Sequence, residues 1–137
     1  MGIGPLEHPS TGEEEAMKKK RDCYERAFLA LLTPPDGVPR DAILVHGYPR
    51  LTAADGDVPE GTQYGHAWIE FEVGGMRICY DAAKDAFCLA ALYYVAGRIE
   101  DSQSHHYTKL QAMEQLVKYG HYGDWGKAPK GVVYHEG

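Results

Sequence analysis

Cysteine is scarce. Three residues in 137, Cys23, Cys79 and Cys88, are an odd number without CxxC spacing, which leaves neither a disulfide framework nor a zinc ribbon. Reduced thiols in a reducing compartment are expected. Long apolar runs are missing too: no stretch approaches the roughly 20 residues that cross a bilayer. The N-terminus also lacks the charged start, apolar centre and small-residue cleavage site of a secretory signal. No membrane partner is expected, and the protein is read as cytoplasmic. Basic charge is in deficit, with 14 Lys and Arg against 20 Asp and Glu, a formal charge of −6 and a pI near 5.6. Nucleic-acid binding rests on clustered Lys and Arg, so it is not expected here. Despite 16 glycines, neither GxGxxG nor GxxxxGK[ST] occurs, which removes the usual dinucleotide and nucleotide sites. No cofactor is expected.

What is present is an ordinary globular balance, 44% hydrophobic and 25% charged residues, in a chain long enough for one core. Residues 1–10 and 127–137 are loose by composition, and residues 11–126 read as a single domain without internal repeats. The basic run Lys18-Lys19-Lys20-Arg21 follows Glu13-Glu14-Glu15. Helical spacing sets Glu14 against Lys18 and Glu15 against Lys19, the mark of a solvated helix face.

From about Thr11 to Leu32 the pattern is helical, with Tyr24, Ala27, Phe28, Leu31 and Leu32 at i, i+3, i+4, i+7 and i+8. Thr33-Pro34-Pro35-Asp36-Gly37 ends it. Asp22 and Glu25 have capping-box spacing, which places Cys23 in a helix's first turn after a break near Lys20 to Asp22; an unbroken helix from Thr11 is the alternative. Residues 42–48 read as a strand. Gly65 to Val73 and Met76 to Asp81 flank Gly74-Gly75, a two-residue turn open to positive φ at both positions. The register that follows pairs Phe71 with Ile78, Ile69 with Tyr80 and Ala67 with Ala82 on an apolar face. The other face pairs Glu72 with Arg77, Glu70 with Cys79 and Trp68 with Asp81. Residues 86–99 and 107–119 read as helices, and the aromatic run from Tyr119 to Gly126 as a structured loop. The class is α+β: an N-terminal helix carrying Cys23, a small antiparallel β-sheet and C-terminal helices.

In that hairpin His66 lies diagonal to Asp81 on one face, within reach of a carboxylate that fixes the tautomer of a histidine base. Cys23 at a helix start would supply a nucleophile, its thiolate favoured by an imidazolium and by the helix N-terminus, with Asp22 opposing. The segment Tyr64-Gly65-His66-Ala67-Trp68-Ile69-Glu70, then Ile78-Cys79-Tyr80-Asp81-Ala82, preceded by a Cys leading into a helix, resembles the core of transglutaminase-like proteins, a branch of the papain-like superfamily. The resemblance spans roughly Asp22 to Ala83. The Gly or Trp often found before the nucleophile is absent here.

The resemblance implies acyl transfer through a thioester on a protein or peptide substrate, with Cys23 as nucleophile, His66 handling the proton and Asp81 orienting His66. Water as acceptor gives amide hydrolysis, deamidation or proteolysis; an amine gives cross-linking. The backbone N–H of Cys23 is one expected oxyanion donor, with Gln63 or Trp68 as another. A catalytic Cys23 is expected to be exposed and reactive. Cys79, on the face of His66 and Asp81, is a substitute nucleophile or resolving thiol. Two other classes stay open. One is a non-catalytic protein-binding module on the same fold. The other is a small zinc protein using His66, Cys79 and one of His105, His106 or His121. Tyr93, Tyr94, Tyr107, Tyr119, Tyr122 and Trp125 read as packing that also can wall a cleft.

Overall fold

The computed structural model describes residues 23–134. The expected N-terminal tail, the capping pair of Asp22 and the break before it lie outside the described residues. The helical run of residues 23–32 (α1) buries Cys23, Tyr24, Ala27, Phe28 and Leu31, the stripe that the periodicity predicts. Leu32, counted with that stripe, stays 37% exposed. Thr33 N–H closes the last turn on Leu29 C=O at 2.9 Å, and Pro34-Pro35 stops the helix.

Five antiparallel strands follow: β1 (Ile43–Gly47), β2 (His66–Val73), β3 (Met76–Asp81), β4 (Ala86–Leu89) and β5 (His105–Tyr107), in the spatial order β4-β3-β2-β1-β5. The hairpin has the expected register, Ile69 opposite Tyr80, Glu70 opposite Cys79, Phe71 opposite Ile78 and Glu72 opposite Arg77. Gly74 and Gly75 have φ of 57° and 81°, the left-handed pair that this turn needs. Helix α2 (Ala90–Gly97), a 3₁₀ turn (Asp101–Gln103) and α3 (Lys109–Tyr119) complete the described elements. The described architecture is α+β. Among the described residues no helix is long and apolar enough to cross a membrane.

The sheet is covered on both faces, so β2 carries five consecutive buried residues instead of alternating. On one face Leu44, Ala67, Ile69, Phe71 and Tyr80 pack against α1. On the other, Val45, Trp68 and Cys79 meet Ala90 and Ile99, with Tyr93 and Tyr94 alongside. Gly47 sits under Trp68, where an added Cβ would lie 2.2 Å from the indole.

Three sequence expectations are corrected. Residues 86–89, read as the start of a helix, form β4. Asp85 at φ 51° turns the chain back, and pairing of Tyr80 with Phe87 and Ile78 with Leu89 outweighs the helical leaning of an Ala-Phe-Cys-Leu run. Residues 105–107 form β5 where the pattern predicts a helix from 107; Thr108 then caps α3 in a reciprocal box with Gln111. The C-terminal segment, read as loose, is tied down at Val133: its N–H donates to Gln63 C=O at 2.9 Å, and its C=O accepts from Gly65 N–H at 3.1 Å. Those two bonds set it beside the residues that lead into His66.

Candidate active site

Asp81 ends β3 and starts the turn into β4, and its carboxylate organises both. Oδ1 accepts from the backbone N–H of Ala83 at 3.1 Å and of Lys84 at 3.3 Å, an Asx-type cap on the turn. Oδ2 is left to face the first residue of β2, and accepts from His66 Nε2 at 2.9 Å. The same Oδ2 accepts from the Tyr93 hydroxyl at 2.8 Å. Asp81 is only 2% exposed, so this carboxylate is satisfied by four donors and not by water.

Nε2 is committed to Asp81, and Cys23, from α1, adds its own hydrogen-bonding and charge pull on the imidazole. Helix and strand meet where Gly65 leaves room: a Cβ there would lie 2.2 Å from the Tyr24 hydroxyl. Asp81 from the end of β3 and Cys23 from α1 thus both act on His66.

Two histidines in this fold show what the carboxylate does. His46 in β1 is buried among Tyr24, Tyr107 and Trp125. Burial, with the nearby His105 and His66, drags it down to about 3, and it is neutral. His66 also suffers burial, but the hydrogen bonds and charges of Asp81 and Cys23 outweigh it and carry His66 up to about 10. Asp81 moves the opposite way: burial opposes its ionisation, while His66 and Tyr93 hold it below its ordinary value.

The sign of the linkage follows. His66 has a folded value above its ordinary 6.5, so its contribution is complete below pH 6.5 and is lost as pH rises through about 10. Asp81, depressed from 3.8, contributes above that value and loses its share as pH falls through its lower folded value. Urea unfolding of the native protein is therefore expected to show stability declining from pH 6.5 to 10. The decline shrinks in His66→Ala; an equal decline in both proteins would refute the assignment.

The alternate residues of β2 back the histidine. His66 and Trp68 rings lie 5.9 Å apart. Trp68 Nε1 donates to buried Glu70 Oε2 at 2.7 Å, and Arg77 Nε donates to Glu70 Oε1 at 2.6 Å. The Tyr94 hydroxyl also donates to Glu70 Oε2. A cavity of about 340 Å³ opens on His66 and Asp81, with Arg50, Tyr64, Lys84 and Tyr93 in its walls.

Several expected roles find different partners. Gln63 spends its amide protons on Tyr48 C=O at 3.1 Å and Gln103 Oε1 at 2.6 Å, and Trp68 spends its indole proton on Glu70, so neither holds a proton free for an oxyanion. Cys79 is fully buried and its Sγ donates to Glu70 Oε2 at 3.7 Å; burial and the Glu70 charge push its thiol up strongly, away from nucleophilic use. The expectation of an exposed Cys23 is corrected, since it is 2% exposed in the core beneath α1. His105 Nε2 meets Lys127 C=O at 3.0 Å and His121 Nδ1 accepts from Gly123 N–H at 3.2 Å. Among the described residues no group of three or more His, Cys, Asp or Glu is arranged to hold a metal ion.

Tyr93, which the sequence marks only as packing, belongs to the site. Only the unrecognised β4, which turns the chain so that α2 lies over this face of the sheet, brings its hydroxyl to Asp81.

No family model, curated protein or solved structure matches this chain.

Proposed function

We propose that the protein catalyses cysteine-dependent acyl transfer through a thioester, on the transglutaminase-like pattern that its sequence resembles. The observation that carries the reading is the buried 2.9 Å bond between His66 Nε2 and Asp81 Oδ2, with Cys23 also acting on the imidazole. In this reaction the Cys23 sulfur attacks an amide carbonyl, the C–N bond breaks, and His66 gives the leaving amine its proton. Water or an amine then attacks the thioester, His66 takes the incoming proton, and the C–S bond breaks to release the acyl product and regenerate the Cys23 sulfur. The backbone N–H of Cys23 is assigned to the oxyanion, because Gln63 and Trp68 are committed elsewhere. A protein or peptide amide is the proposed acyl donor, and a reducing, cytoplasmic setting suits three free thiols.

Burial of Cys23 favours a second reading, a non-catalytic binding module on the same fold, because a donor must displace what covers the thiol before it can react. Alkylation by iodoacetamide across pH, read by mass spectrometry at each cysteine, separates the two. The enzyme reading expects Cys23 to react faster than Cys79 and Cys88, at pH values below the ordinary thiol value of about 8.5, and to slow in His66→Ala. A Cys23 that is inert, or indifferent to His66, leaves the binding module.

A further inference from the structure

We propose that Tyr93 is a positioning residue of this site: its hydroxyl shares Asp81 Oδ2 with His66 Nε2, and so sets how strongly the carboxylate holds the imidazole. The inference rests on the site proposed above and adds to it the group that tunes its base.

The geometry separates two jobs that a carboxylate usually does together. Oδ1 is anchored by the Ala83 and Lys84 N–H groups, so the place of Asp81 is fixed by the β3–β4 turn with or without Tyr93. Oδ2 receives two donors, Tyr93 at 2.8 Å and His66 at 2.9 Å. A hydrogen bond to an anion draws charge from the acceptor atom, and the charge drawn by the phenol is not available to the imidazolium. Tyr93 therefore moderates the pull of Asp81 on His66. A base whose proton is held too firmly is slow to deliver it to a leaving amine.

The phenol is itself held in place. Its ring packs on Trp68 with centroids 5.2 Å apart, and the next residue, Tyr94, donates to Glu70. Helix α2 thus delivers two successive hydroxyls to the two buried carboxylates of this face, Asp81 and Glu70, each 2% exposed. The other titratable groups about His66 are Cys23 from α1, His46 from β1 and Tyr64 from the preceding loop, with Arg50 and Lys84 in the wall of the same cavity.

The test reads the ring of His66 by NMR, through its carbon and nitrogen shifts across pH in the full chain. Tyr93→Phe removes the competing donor while keeping the ring on Trp68, and His66 is expected to titrate about one pH unit higher, since a hydrogen bond to a charged group is worth roughly that much. Tyr94→Phe, the matched loss one residue along on Glu70, leaves His66 unmoved. Placing 3-fluorotyrosine at position 93, a stronger donor of nearly the same size, moves His66 downward and carries the test if Tyr93→Phe does not fold. An unmoved His66 in both position-93 variants, or an equal shift in Tyr94→Phe, overturns the proposal. Because the signal comes from the imidazole, its outcome is independent of whether Cys23 proves reactive to iodoacetamide.

Discussion

Asp81→Asn is expected to slow acylation of Cys23 by about a hundredfold to ten-thousandfold while leaving the shape of the site nearly unchanged. The asparagine has the same size, but one of its two polar atoms is now a donor. Its orientation is decided by what each neighbour can adapt. The Ala83 and Lys84 N–H groups can only donate, so the amide oxygen must stay with them. The amide NH₂ then faces His66 and Tyr93. Tyr93 adapts by rotating its hydroxyl, and His66 by moving its proton from Nε2 to Nδ1.

That change removes the general base. With Nδ1 protonated and Nε2 accepting from the amide, neutral His66 has no free lone pair to take the proton of the incoming water or amine. The imidazolium also loses its carboxylate, so burial, the force that carries His46 down to about 3, now acts on His66 with less to oppose it. Acylation by an activated peptide amide, followed by mass spectrometry of the thioester, measures the rate, and nitrogen NMR of His66 reads the tautomer. A rate within a fewfold of the native protein would show that Asp81 serves the turn and not the histidine.

The part of this site that was legible from the sequence is the part built by local register. Gly74-Gly75 fixes the hairpin, and with a period of two that one turn decides which residues share a face with His66. Asp81 and Glu70 fall on that face by counting. The helical stripe from Tyr24 to Leu31 is likewise a matter of spacing, and it brings Cys23 to the sheet. What could not be read depends on contacts between distant segments. Ala86 to Leu89 carries helix-leaning residues, and only pairing with β3 makes it a strand. Where α2 starts, and with it where the hydroxyls of Tyr93 and Tyr94 point, depends on that strand. Gln63 and Trp68 looked like free donors because their acceptors are a carbonyl from the loop after β1, a glutamine 40 positions away and a carboxylate on the same strand. The burial of Cys23 is equally a product of packing: periodicity tells which face of α1 is apolar, not how tightly the end of that face is covered.

Glu70→Ala is expected to destabilise the fold by about 3–5 kcal/mol, a loss of the size seen when one partner of a buried charged network is removed. Glu70 is 2% exposed and its Oε2 gathers Trp68 Nε1, the Tyr94 hydroxyl and Cys79 Sγ. Alanine leaves the buried Trp68 N–H and the part-buried Tyr94 hydroxyl as donors without this acceptor, the first costing about 1–3 kcal/mol and the second less. Arg77 adds little to this sum, because its side chain is 37% exposed and also pairs with Asp101 at 3.2 Å. Glu70→Gln separates these contributions. Its amide oxygen can keep Trp68 and Tyr94, its NH₂ turns Arg77 toward Asp101 and solvent, and the expected loss is about 1–2 kcal/mol. Urea unfolding near pH 6, where the His66 contribution is complete, gives both values without interference from the histidine. If glutamine costs as much as alanine, the network depends on the Arg77 charge and not on Oε2. The consequence reaches the site through Trp68: freed from Glu70, the indole no longer has a fixed place beside His66. Glu70→Ala is therefore expected to broaden the His66 resonances even in the fraction that remains folded, whereas Glu70→Gln leaves them sharp.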